Sequence, residues 1–186
     1  MTSTTFDLGL FIEDVKLARA ETDSQVAVES VLKRAVSQPA SVLAELGEPA
    51  AAGLHKLYCD DDVTILNVVW APLMLLQPHN HNMWASIGIY TGRENNVIWE
   101  RDGEVVKPAG AAALSQKEVF ALSDDAIHSV ANPIERFTGA IHIYGGDFFA
   151  PGRSEWDTET LRERPFDIDA AREHFTNSTT RFYSVS

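Results

Sequence analysis

The sequence predicts an all-β core, a sandwich or barrel, with helical segments at both ends. Three observations carry this. Between Leu54 and Phe149 the chain breaks into short runs of β-branched and aromatic residues separated by turn signals. From Asp7 to Leu46 apolar residues recur instead at helical spacing. Beyond Trp156 the tail turns acidic, with a short helix expected around Ile168 to Phe175.

In the N-terminal segment Phe11, Val15, Leu17 and Ala18 sit at roughly helical spacing. Asp23 or Ser24 suits the cap of a second helix. Val28, Leu32 and Val36 are each four apart and so line one face of it, with Val31 beside them. Pro39 interrupts the pattern, and Gly47-Glu48-Pro49 is a stop signal. The expected strands are 63–70, 85–90, 96–101, 104–107, 119–122, a segment around His128-Ser129-Val130, and 138–144. Asp102-Gly103 between the third and fourth is a strong hairpin signal. In the tail, Thr158 and Asp167 are expected caps.

At 186 residues the chain has the length of one domain with a substantial core. The expected division is a helical annex over 1–50, a β-barrel core over 54–153 and a C-terminal tail over 154–186. Fifteen Lys and Arg stand against 27 Asp and Glu, for a formal charge of −12. That argues against nucleic-acid and anionic-membrane partners. Cys59 is the single cysteine, which excludes an intrachain disulfide and fits a reducing compartment. The first residues have neither the basic flank nor the apolar run of a signal peptide, and no apolar run approaches a membrane span. The expected location is cytoplasmic.

Candidate chemistry centres on Pro78-His79-Asn80-His81 and Ala126-Ile127-His128-Ser129-Val130. Residues two apart on a strand share a face, so His79 and His81 can aim two imidazoles at one point. His128 can supply a third ligand from a second strand, set by the polar turn Asp124-Asp125 before it. Neutral imidazole is the commonest protein metal ligand. His55 and His174 lie in poorer contexts and are read as structural. Trp84 and Trp99 are expected in the core, Cys59 is expected to be inert, and Asn132-Pro133 is expected to be a turn.

These residues resemble a known family. Pro78-His79-Asn80-His81 with Met83-Trp84-Ala85-Ser86-Ile87-Gly88-Ile89-Tyr90-Thr91-Gly92-Arg93-Glu94 resembles the first cupin motif of the thiol dioxygenases, the cysteine and mercaptopropionate dioxygenase enzymes. Asp125 to Pro133 resembles the second motif, and Ala140-Ile141-His142-Ile143-Tyr144-Gly145-Gly146-Asp147 resembles the family's Ser-x-His-x-Tyr strand. The resemblance covers residues 54–153. It implies a double-stranded β-helix, the cupin or jelly-roll barrel. It also implies mononuclear iron(II) held by His79, His81 and His128, with a small thiol and O2 as substrates.

The wider cupin pattern adds a Glu soon after the His pair, but Met83, Trp84, Ala85 and Ser86 stand there. Three neutral imidazoles leave the charge of a divalent ion, about +2, uncompensated, which favours an anionic ligand such as thiolate. The donor set alone does not choose among iron, zinc, manganese, nickel and copper. The resemblance further implies that His142 and Tyr144 form a hydrogen-bonded catalytic pair. Arg153, nine residues after Tyr144, would bind the substrate carboxylate, as guanidinium does in bidentate pairs. The family's Ser is Ala140 here, the Asp common between the two His is Asn80, and the residue at the crosslinking-Cys position is Ser86. The activity implied is oxidation of a small thiol carboxylate to its sulfinate. The alternative is a cupin that binds a metal and senses a small molecule without turnover.

Overall fold

The computed structural model describes residues 5–185. Three helices come first: α1 (Leu8–Arg19), α2 (Ser24–Val36) and α3 (Pro39–Leu46). Strands β1 (Gly53–Cys59), β2 (Thr64–Trp70), β3 (Leu75–Asn80), β4 (Ala85–Thr91), β5 (Arg93–Asp102) and β6 (Val105–Ser115) follow. Then come β7 (Val119–Leu122), β8 (Ile127–Ala131), β9 (Thr138–Tyr144), β10 (Ser154–Trp156), β11 (Glu163–Pro165) and helix α4 (Ile168–Val185). The strands form two antiparallel sheets, ordered β1-β2-β9-β4-β7 and β11-β10-β3-β8-β5-β6. They face each other as the expected double-stranded β-helix.

The central strands of the first sheet, β2, β9 and β4, are buried on both sides, which explains their apolar runs. Leu66, Val68 and Trp70 of β2, Ala85, Ile87 and Ile89 of β4, and Ala140 and Tyr144 of β9 face the core between the sheets. The alternate residues Ile65, Tyr90, Ile141 and Ile143 pack outward on Val15, Val28, Leu32 and Val36 of the helices. The helical annex is therefore a third layer on one face of the barrel. A Cβ on Gly88 would lie 2.8 Å from Leu32 Cγ and 2.9 Å from Val36 Cγ1, so α2 rests directly on the β4 backbone. On α1 the buried residues are Phe11, Val15 and Ala18, while Leu17 is 71% exposed. The face repeats at i, i+4 and i+7, and Leu17 lies off it. Asp23 stands at the N-cap of α2 but makes no side-chain cap hydrogen bond.

Other expectations shift at the edges. Strand β6 runs to Ser115, because pairing with β5 from Asp102–Val105 to Arg93–Ser115 holds its Ala and Gly residues extended. The second sheet continues past residue 153 into β10 and β11, and Trp156 is fully buried there against Val106 and Ile127. Thr158 caps no helix. It lies in a turn in which Asp157 accepts from the Glu159 and Thr160 amides. Asp167 does cap α4, accepting from the amides of Asp169 and Ala170 at 3.0 Å. That helix is longer than expected and runs to Val185, with Ala171 and Phe175 buried over the barrel. No helix among the described residues is long and apolar enough to cross a membrane.

Replacing Gly88 by Val should force α2 off the sheet and destabilise the fold by about 1–3 kcal/mol, the usual cost of overpacking. Chemical denaturation of the variant checks this, and an unchanged midpoint would mean that α2 is not seated on β4 as described.

Candidate metal centre

Strand β3 breaks its own alternation. Leu76 pairs with Val130 and His79 pairs with His128, so three steps on β3 answer two on β8. This β-bulge shifts the facing of the strand by one residue. Leu76 and His79 both point into the barrel, although regular alternation would send one of them out. Pro78 sits in the bulge, a place in a sheet that tolerates a residue without an N–H. His81 follows just beyond the strand end.

The three imidazoles converge. Ligand atoms of His79, His81 and His128 all lie within 4.8 Å of one another, and all three residues are buried. His79 Nδ1 is 2.9 Å from the Gln77 carbonyl oxygen, which only accepts, so that nitrogen carries the proton and leaves Nε2 free. His128 Nδ1 lies 2.7 Å from Asn96 Oδ1, and its Nε2 is buried with no hydrogen-bond partner. A buried lone pair without a donor is what a metal ion would satisfy, and the residues fit one. Burial, reinforced by the neighbouring charges, pulls His79 down to about 4 and His81 and His128 well below the ordinary histidine value. Neutral rings are the metal-binding form.

The expected pair also forms. Tyr144 is 3% exposed, its hydroxyl lies 3.1 Å from His142 Nδ1, and its ring packs against His81 at 4.9 Å between centroids. Burial raises the phenol well above its ordinary value. Arg153 is 7% exposed. Its guanidinium lies 4.2 Å from the Phe148 ring centre and 4.3 Å from that of Phe166, and Nη1 is buried without a partner. Its charge reaches His79, His81 and Tyr144. The acids near it in sequence pair elsewhere, Glu155 and Asp157 both with Arg164. Asn80 Oδ1 accepts from the Ser154 amide at 2.8 Å and fastens the histidine segment beside Arg153. The cavity along the imidazoles is about 20 Å³, little more than the roughly 10–15 Å³ that one water needs.

Ser86 does not face this site. Its register partners are Ile143 and Ala121, and its Oγ is buried on the helix side of the sheet with no partner. Ala85 is the residue opposite Tyr144. No thioether to Tyr144 can form from either. His55 and His174 lie outside the cluster, with His174 Nε2 2.7 Å from the Leu75 carbonyl oxygen. Trp84 and Trp99 pack into side clusters, and Asn132 ties its turn to the Trp70, Ala71 and Arg136 carbonyls. Cys59 is not isolated, since Thr64 Oγ1 lies at 3.3 Å and Asp147 Oδ1 at 3.4 Å, and burial pushes its thiol up.

Glu94, to which the family resemblance assigns no role, also borders the site. It is fully buried, accepts from Trp70 Nε1 at 2.8 Å and Asn96 Nδ2 at 2.9 Å, and lies 3.4 Å from His142 Nε2. The available signal was a Glu94-x-Asn96 pair at strand spacing leading into Val97-Ile98-Trp99.

His81→Ala should lower metal affinity by at least about 10-fold, since losing even a residue behind a ligand costs about 10–100-fold. Metal analysis after dialysis checks this, and full occupancy would exclude His81 as a ligand. Acid should weaken the metal-free protein. Unfolded histidine titrates near 6.5 and folded His79 near 4, so between these values the unfolded state binds more protons. Stability from His79 is complete above about pH 6.5 and is lost as pH falls toward 4, up to about 3 kcal/mol. Thermal melts across this range read it, and a flat profile would show the ring is not buried neutral.

No family model matches the sequence. Among solved structures the chain is similar to a Bacillus halodurans protein, with 13% identity and a TM-score of 0.50 over 56% of this chain and 77% of that one. It is also similar to an RmlC-like cupin family protein with a double-stranded β-helix fold from Methanocaldococcus jannaschii, with 11% identity and a TM-score of 0.46 over 55% and 86%. A Klebsiella pneumoniae protein with a double-stranded β-helix domain matches with 7% identity and a TM-score of 0.45 over 64% and 88%. At these identities the likeness is one of fold. The two facing sheets of the chain form a double-stranded β-helix, and its three clustered histidines form a candidate metal site.

Proposed function

We propose that the protein is an iron(II)-dependent dioxygenase that converts a small thiol carboxylate to its sulfinate. The reaction is RSH plus O2 giving RSO2H. Two S–O bonds form, the O–O bond breaks, sulfur loses four electrons and dioxygen gains them. The observation that carries this reading is the buried Tyr144–His142 pair beside three convergent neutral imidazoles. Binding alone needs no proton-bearing group there.

Iron(II), held by His79, His81 and His128, would acidify a coordinated thiol and activate O2. The protein's own groups do the rest. Arg153 offers a charged guanidinium with an unpartnered Nη1 to the carboxylate, and its stacking between Phe148 and Phe166 holds its plane. Tyr144 keeps its proton, because burial disfavours the phenolate. His142 Nδ1 sets the direction of that hydroxyl. Phe148, Phe166 and Phe175 line the cavity and exclude water.

A second reading has one observation in its favour. A cavity of about 20 Å³ leaves little room for a substrate of several atoms unless the aromatic wall moves. That suits a cupin that binds a metal and a small ligand without turnover.

Anaerobic iron loading followed by oxygen uptake against a panel of small thiols separates the two. Uptake with sulfinate formation is expected for a thiol carboxylate, whereas binding without uptake would establish the second reading. In the same assay Tyr144→Phe should retain iron and slow turnover by about 10²–10³-fold, the range for losing one positioned donor. Arg153→Ala should weaken acidic thiols by about 3–5 kcal/mol and spare a neutral mercapto-alcohol, since one partner of a buried charge pair is lost. Equal losses for both thiols would make Arg153 structural.

A further inference from the structure

We propose that Glu94 is a positioning residue that sets, from one buried carboxylate, the proton positions of both His142 and His128. The inference deepens the dioxygenase reading and rests on its assignment of His128 to the metal and Tyr144 to the proton.

The carboxylate stands between the two sheets and has two arms. Trp70 Nε1–H, which can only donate, occupies Oε2 at 2.8 Å. Oε1 accepts from Asn96 Nδ2 at 2.9 Å. That bond orients the Asn96 amide, so its Oδ1 must face His128, 2.7 Å from Nδ1. An oxygen there holds the proton on His128 Nδ1 and leaves Nε2 bare toward the cluster. Along the second arm, His142 Nε2 lies 3.4 Å from Glu94 Oε2 with no formed hydrogen bond. A carboxylate this close favours the proton on Nε2. Nδ1 is then the acceptor for the Tyr144 hydroxyl, 3.1 Å away.

The same contact answers a departure from the related enzymes. Ala140 stands where they carry a serine, so β9 supplies no hydroxyl for His142. Here the partner comes from β5 in the opposite sheet. A carboxylate also reaches the metal ligand through Asn96, which a serine on β9 would not. One group thereby couples the ligand tautomer to the direction of the proton donor.

Glu94→Gln tests this, because a primary amide has one acceptor and one donor end. With the carbonyl toward Trp70, the amide N–H meets Asn96 and turns it over, presenting an N–H to His128 Nδ1. With the carbonyl toward Asn96, the amide N–H donates to His142 Nε2 and moves its proton to Nδ1. One arm breaks either way. Nitrogen-15 NMR of labelled histidines reads the tautomers, and titration with zinc(II) alone reads affinity, so neither needs turnover. Wild type should show His142 protonated on Nε2. The variant should show either the Nδ1 tautomer of His142 or zinc affinity reduced about 10–100-fold. Wild-type His142 protonated on Nδ1 would overturn the proposal even if the variant fails to fold. Unchanged tautomer and unchanged affinity in folded Glu94→Gln would overturn it as well. Failure of every thiol to drive oxygen uptake in wild type would remove the dioxygenase reading and leave the tautomer result standing.

Discussion

Side chains on a strand alternate between faces, and a site built from two paired strands depends on where that alternation is kept and where it is broken. Strand β3 breaks it once, at Gln77-Pro78. The bulge sets His79 directly across from His128 and sends His81, just past the strand end, to the same side. Without it, Leu76 and His79 would face opposite ways. A core leucine would be lost to solvent or an imidazole lost from the cluster. The bulge is also held from inside, since the Gln77 carbonyl accepts from His79 Nδ1.

The second constraint is electrostatic. Polar groups deep in an apolar barrel are costly unless they are paired. Glu94, Asn96, Trp70 and His142 meet this by bonding to or closely facing one another, joining strands of both sheets through side chains. The atoms left over are therefore informative. His128 Nε2 and Arg153 Nη1 are buried without partners, one at the imidazole cluster and one on the aromatic wall beside it. A metal suits the first and an anion the second.

The helices serve the site at a distance. α1, α2 and α3 cover the outer face of the first sheet, so β2 and β9 are buried throughout and β9 is rigidly framed. His142 and Tyr144 stand on that strand. α4 closes the other end through Ala171 and Phe175, with Phe175 packed 5.0 Å from Trp70 between ring centres. Trp70 is in turn the indole that donates to Glu94. The packing of the tail thus touches the polar network directly, through Trp70.

The sequence by itself determined the strands that are apolar on both faces, such as β2, β4 and β9, because burial from two sides leaves a continuous signature. The two-residue spacing of His79 and His81 and the later His128 pointed to the histidine cluster, and the likeness to the thiol dioxygenases pointed to the His142–Tyr144 pair, but the bulge in β3 and its pairing with β8 are what bring the three imidazoles together. The sequence did not determine β1, whose residues are half-buried, or the three-residue strands β10 and β11, which exist only by pairing with neighbours far along the chain. The likeness to the thiol dioxygenases offered Arg153 as an anion binder, but only the pairing of β10 with β11, which hands Glu155 and Asp157 to Arg164, keeps those neighbouring acids from its guanidinium. Glu94 is the clearest case. In Arg93-Glu94-Asn95-Asn96 the one local signal is the strand spacing of Glu94 and Asn96, which a solvated strand would share. Its burial follows from β5 crossing the barrel opposite β2 and β9, and its role from donors on strands that only the tertiary fold brings within hydrogen-bonding distance.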